Sequence, residues 1–305
     1  RTSLPVHTLS AEAPATATTP ERPSPENYMR PALGSFSFAE PAETTTVARV
    51  PFLASTLDGA AEQLVKYALS NRRNQVGLPV RLANAYSLAC ASQDAGYLDL
   101  LQGPGVNLPD GTPVAWAMGV LGDAPAEKVR GASFFRTVLQ RGADRGLRHY
   151  FFGTSPETLD KMVRRVTAQS PGLRIAGASA PPMGSVEDIL TESVIRSIGD
   201  ARPDVVWVGL GSPKQDYVAR ILAERLGLPC IGVGAAFDFV AGTKCEAPRL
   251  LQRLGLEWTH RLLSEPRRLW RRYAFGNTRF AMLVAVSMLS RVATPSAPAD
   301  VVADA

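Results

Sequence analysis

Beyond about residue 47 the chain alternates two kinds of apolar pattern. Short runs without helical period fall at 50–53, 80–83, 148–152, 173–178, 205–208 and 230–233, and each predicts a strand. Between them, apolar residues recur at helical spacing. Leu57, Ala61, Leu64, Val65 and Ala68 follow a Ser55 or Thr56 cap and predict a helix to about Asn71. Further helices are predicted over 86–93, 134–145, from Ser155-Pro156 onward, over 186–198, and through Val218, Ile221, Leu222 and Leu226. Residues 113–118 read as another buried segment. Near-continuous apolar strands alternating with helices imply an α/β, Rossmann-like fold, a mainly parallel sheet with helices on both faces. Ligands in such sheets sit beyond the carboxyl ends of the strands.

The stretch Asp204 to Pro248 carries the most chemistry: DVVWVGLGSPKQDYVARILAERLGLPCIGVGAAFDFVAGTKCEAP. Gly209-Leu210-Gly211 permits a sharp turn after a strand. Ser212 is then predicted as a helix N-cap with Pro213 in the first helical position. A strand feeding a helix N-terminus offers amides to an anion, usually phosphate. The dinucleotide fingerprint fails, because Lys214 stands where a third glycine is needed and Gly234-Ala235-Ala236 where an acid is needed. A Walker pattern is absent. The turn therefore predicts a phosphate-bearing ligand other than NAD or a P-loop nucleotide; the alternative is a plain connection with glycine for tightness.

Composition divides the chain. Residues 1–45, rich in Pro, Ala, Thr, Ser and Glu, predict a disordered lead, followed by an α/β domain over 46–255. A basic amphipathic helical appendage over 256–292 and a disordered tail over 293–305 complete the organisation. From Glu257 to Arg291 seven arginines face two acids, an excess equal to the chain's formal net charge of +5. Pro266 can open a helix in which Arg267/Arg271 and Arg268/Arg272 form adjacent rows with Leu269, Trp270 and Tyr273 between them. Arginine beside Trp and Tyr, followed by an apolar run too short to span a bilayer, fits an anionic membrane surface. An oligomer contact, or packing on the protein's own domain, is the alternative. No nucleic-acid module is present despite a pI near 9.3. Three scattered cysteines give no disulfide framework, and the three histidines have no ligand spacing, so no metal is expected. The first residues do not read as a signal peptide.

Four segments, VGLGSPKQD, GVGAAFDFVAG, the AP that follows, and GLEWTHRLLSEPRR, resemble the WecG/TagA/CpsF glycosyltransferases (glycosyltransferase family 26), a likeness spanning about residues 47–272. The resemblance implies an inverting, metal-independent transfer of an N-acetylhexosamine or hexuronic relative. The donor would be a UDP-sugar and the acceptor a polyprenyl-diphosphate-linked saccharide, at the cytoplasmic face of the plasma membrane and without a cofactor. It implies that Asp110, in Pro-Asp-Gly, is the catalytic base; on local pattern alone Asp110 is a turn acid. Asn84, Lys128, Gly209, Gly211, Ser212, Lys214, Gln215, Gly234, Phe237 and Asp238 would hold the donor, and Arg261, Arg268, Arg271 and Arg272 would meet acceptor and membrane. The chain departs from the family's pattern at Leu82 (for threonine), Lys128 (arginine), Ser133 (aspartate) and Glu246 (arginine). Those departures leave open a second reading, a sugar-nucleotide-binding scaffold with impaired catalysis.

Overall fold

The computed structural model describes residues 7–8, 43–122 and 126–293, the side chains of 7–8, 268 and 290–293 excepted. Its strands are β1 (His7–Thr8), β2 (Thr44–Val47), β3 (Val50–Leu53), β4 (Leu78–Ala83), β5 (Val106–Pro109), β6 (Arg148–Gly153), β7 (Arg174–Ala180), β8 (Val205–Gly209) and β9 (Pro229–Gly232). Seven form one sheet in the order β1-β7-β6-β8-β9-β4-β5. Every pairing in it is parallel. This is the Rossmann-like α/β architecture that the alternation of patterns implies.

The strands read as continuous apolar runs because both faces of the sheet are covered. Along β8 the pleat sends Val205 and Trp207 to one core and Val206 and Val208 to the other, all fully buried. The first core is closed by helices Leu57–Asn74, Gly131–Ala143, Pro156–Gln169 and Ala236–Ala241, with Phe134 and Phe135 edge-on to Trp207 and Phe237 packed on Phe135. Helices Glu192–Asp200 and Lys214–Leu226 close the second. Trp207 buries its indole N–H against a partner, donating to His149 Nδ1 at 3.1 Å. Burial lowers the His149 pKa to about 3, so the acceptor nitrogen stays unprotonated.

The amino ends of β6 and β8 are stapled by one carboxylate. Asp204 accepts from Arg72 Nη2 at 2.7 Å, from the Arg148 backbone N–H at 2.8 Å and from Arg148 Nη2 at 3.0 Å. Burial alone would raise its pKa, but the two arginines outweigh that and hold it at about 2.

Several expectations change. The lead boundary at residue 45 falls inside β2, which pairs antiparallel with β3. Their turn uses Ala48 and Arg49 at positive φ (49° and 70°), with none of the Asn or Gly that marks such hairpins. The rest of the lead, and residues 294–305 of the tail, lie outside the described residues. The helix expected over 186–198 is broken into Val186–Ile189 and Glu192–Asp200, because Thr191 turns out to cap the second, accepting from the Val194 N–H. The segment at 113–118 is part of helix Thr112–Leu121, and its Trp116 is 58% exposed.

The appendage comprises helices Glu257–Ser264 and Pro266–Ala293. Leu269, Phe280 and Val284 are buried and dock the long helix, whereas Trp270, Phe275, Met282 and Leu289 are exposed. Among the described residues no helix is long and apolar enough to cross a membrane.

Candidate active site

Beyond the carboxyl ends of β4, β5, β8 and β9 lies a cavity of about 290 Å3. Its floor and near wall come from strand ends and the loops after them: Leu82, Asn84, Asp110, the Gly209–Ser212 turn, Gln215, Val233 and the Gly234 turn. Its far wall comes from Arg130 and the start of helix Gly131–Ala143, from Lys244 in the loop after helix Ala236–Ala241, and from Glu257, Arg261 and Arg272 of the appendage.

Asn84 caps helix Ala85–Ala91: its Oδ1 accepts from Tyr86 N–H at 3.1 Å and Ser87 N–H at 3.2 Å. That fixes the side chain and leaves its Nδ2 aimed at Asp110 Oδ2, 3.5 Å away. Asp110 Oδ1 also accepts from Gly131 N–H at 3.4 Å. Burial raises the Asp110 pKa; the Asn84 bond and the charge of Arg261 oppose the rise, and Glu257 adds to it. A carboxylate with a raised pKa, open to a cavity, is a suitable proton acceptor.

The glycine turn differs from expectation in its capping. Helix Lys214–Leu226 has Pro213, not Ser212, at its cap position. The turn is instead braced by Gln215, whose Oε1 accepts from Gly211 N–H and whose Nε2 donates to Ser212 Oγ, both at 3.1 Å. The Gln215 N–H bonds Gly211 O and the Asp216 N–H bonds Pro213 O. Several amides expected to face an anion thus have protein acceptors. Gly211, at φ +80°, needs glycine's freedom. Gly209 needs its lack of Cβ, which would sit 2.5 Å from the Phe237 ring.

Three sequence-predicted donor residues do not line the cavity. Phe237 is fully buried, packed on Phe135 and Phe151 beneath the floor. Lys214 turns away to donate to Gly184 O at 2.5 Å. Lys128 donates to Gln252 O and lies 3.4 Å from Glu257 Oε1. Asn84, Asp110, Gly209, Gly211, Ser212, Gln215, Gly234 and Asp238 do line it.

Of the appendage arginines, Arg261 and Arg272 line the cavity, Arg271 is exposed beside Trp270, and the side chain of Arg268 lies outside the described residues. Arg272 stacks on Tyr86, with its guanidinium carbon 4.1 Å from the ring centroid. Burial, and then Arg261, lower its pKa. Among the described residues neither Arg261 nor Arg272 has a carboxylate partner within salt-bridge distance, whereas Arg130 is tied to Glu246 and Glu257. Sequence reading missed Arg130, Glu257, Lys244 and Phe239. The available signal for Arg130 was its two-residue spacing from Lys128, which puts both on one side of an extended segment.

Known proteins resemble this chain over most of its length. Residues 45–294 match the model of the "Glycosyl transferase WecG/TagA/CpsF family". Over 231 residues, 75% of this chain and 87% of the relative, it is 27% identical to N-acetylglucosaminyldiphosphoundecaprenol N-acetyl-beta-D-mannosaminyltransferase of Bacillus subtilis. Over 183 residues, 60% of this chain and 69% of the relative, it is 32% identical to the protein of the same name from Bacillus spizizenii. With the match covering β3–β9, the cavity lining and the appendage helices, the chain belongs to the WecG/TagA/CpsF family of glycosyltransferases.

Proposed function

We propose that this protein moves a sugar from a UDP-sugar to a polyprenyl-diphosphate-linked saccharide, in the synthesis of a cell-surface or wall polymer. The names of the two Bacillus relatives favour an N-acetylhexosamine as the sugar and a lipid-diphosphate N-acetylglucosamine as the acceptor. The observation that carries the reading is the juxtaposition, across one cavity, of the Asp110 carboxylate and two arginines that have no carboxylate in salt-bridge range among the described residues.

In this reading an acceptor hydroxyl attacks the anomeric carbon while Asp110 takes its proton. The bond from that carbon to the donor diphosphate breaks, and UDP departs with the electron pair. A single displacement inverts the anomeric centre. The departing charge is met by guanidinium groups of the cavity wall through charge-assisted bonds. The step as written takes no metal and no cofactor. Gln215 and the glycine turn shape the donor side, and Asp238 is in reach of the donor's hydroxyls. Arg261 and Arg272 face the acceptor's diphosphate. Arg271 with exposed Trp270 and Phe275 would rest on the anionic headgroups of the cytoplasmic leaflet.

The test is to incubate purified protein with a lipid-linked monosaccharide and a panel of UDP-sugars. The expected result is UDP release with one donor, and a lipid-linked disaccharide as product. UDP binding without turnover across the panel would instead favour the scaffold reading, to which the departures at Leu82 and Glu246 give weight.

A further inference from the structure

We infer that Arg130, not Lys128, receives the diphosphate of the donor, and that Glu246 and Glu257 are stand-in anions which that diphosphate displaces. This rests on the donor reading above and deepens it.

The segment Glu127-Lys128-Val129-Arg130-Gly131 is extended up to the helix that begins at Gly131. Val129 is fully buried, so Lys128 and Arg130 share the opposite side. Only one of them reaches the cavity. Lys128 is held outside by Gln252 O, while Arg130 lines the wall with its side chain 11% exposed.

The Arg130 guanidinium is already oriented as an anion-binding fork. Its Nη1 donates to Glu246 Oε2 at 2.5 Å and its Nε to Glu257 Oε2 at 2.8 Å. Two separate carboxylates thus occupy two edges of one planar cation. A diphosphate presents oxygens that can take such edges together, which lysine cannot match. Phe239 supports the arrangement: the guanidinium carbons of Arg130 and Arg261 lie 5.6 Å and 5.9 Å from its ring centroid. Arg130 also precedes Gly131, whose N–H reaches Asp110. A phosphate drawn to Arg130 therefore arrives next to the carboxylate it must cooperate with.

The two counter-ions differ in consequence. Glu246 is shared with Arg136 and keeps that partner when Arg130 turns to phosphate. Glu257 lines the cavity, begins helix Glu257–Ser264 of the appendage and retains Lys128 at 3.4 Å. Donor entry thus exchanges an appendage carboxylate for a phosphate without leaving that carboxylate unpaired. The cation that sequence likeness would put at residue 128 is relocated two residues on, and the acid at 246 is its partner.

Calorimetric titration of the full chain with UDP and with UMP, which lacks the β-phosphate, tests this. Losing a charge-assisted bidentate contact costs about tenfold or more in affinity. Arg130→Gln is expected to weaken UDP by that factor while UMP changes little. Arg130→Lys falls between, keeping charge but losing the fork. Lys128→Gln is expected to bind UDP nearly as the parent does, and Glu257→Gln to bind it more tightly, because a competitor is gone. A purely structural role for Arg130 would not yield that tightening. If Arg130→Gln fails to fold, Arg130→Lys and Glu257→Gln carry the test. Undiminished UDP binding by Arg130→Gln, parallel loss of UMP, or a loss carried by Lys128→Gln overturns the assignment while leaving the donor reading intact. Weaker UDP binding by Glu257→Gln overturns the displacement. A parent protein that binds neither nucleotide removes the donor reading and this inference together.

Discussion

The cavity has two walls built on different terms. On the sheet side, polar groups are committed to one another: Asn84 caps a helix and touches Asp110, and Gln215 spends both ends of its amide on the glycine turn. On the appendage side, Arg261 and Arg272 stand near aromatic rings, with no carboxylate in salt-bridge range among the described residues. A wall whose groups satisfy each other is pre-organised and changes little when a ligand arrives. In the proposed function, chemistry falls to the first wall, and Arg261 and Arg272 of the second meet a charged substrate.

Four measurements break or sharpen that contrast. Asp110→Asn should lower the rate of transfer by about 10²–10⁴-fold, the usual worth of a positioned general base, and near-parental turnover would remove Asp110 from its role. Arg272→Ala should reduce kcat/KM for the lipid-linked acceptor by about 10–100-fold, with the acceptor KM moving more than the donor KM. Equal shifts in both would erase the division between walls. Asp204→Asn lies far from either wall and serves as the stability control. Its pKa of about 2 lies below the ordinary aspartate value, so its stabilisation is complete above about pH 4 and fades as pH falls toward 2. Denaturant titration should show a loss of about 2 kcal/mol at neutral pH, shrinking on acidification through that window. The smallest effect is expected from Asn84→Ala. Asp110 must be ionised to accept a proton, and its pKa is already raised by burial. Removing the Asn84 bond raises it further, so the acidic limb of the pH–rate profile should move to higher pH. Movement to lower pH, or none, would mean that Asn84 does not tune the carboxylate.

Much of the fold was legible because the strands are buried on both faces and so read as unbroken apolar runs. Their carboxyl ends, and hence Asn84 and the glycine turns, followed from that, whereas β5 was not predicted as a strand and Asp110 came from the family resemblance. What escaped is what sequence pattern does not encode. The hairpin at 44–53 turns through Ala48 and Arg49, residues that carry no turn signal. Thr191 has the same side chain whether it interrupts a helix or rides within one. Phe237 and Phe239 are two residues apart on one helix and therefore face opposite ways. Choosing the cavity-facing member requires knowing where the core lies. Lys128 and Arg130 share a side, and the difference between them is a carbonyl at Gln252 that no local spacing reveals.

The staple formed by Asp204 with Arg72 and Arg148 sits at the amino ends of the strands, on the far side of the sheet from the cavity. A stabilising contact is thereby placed at one pole of the molecule and the cavity at the other. Substitution at the cavity lining therefore leaves the Asp204 staple untouched. Lineages sharing this scaffold are free to diverge in what they transfer while remaining recognisably the same shape.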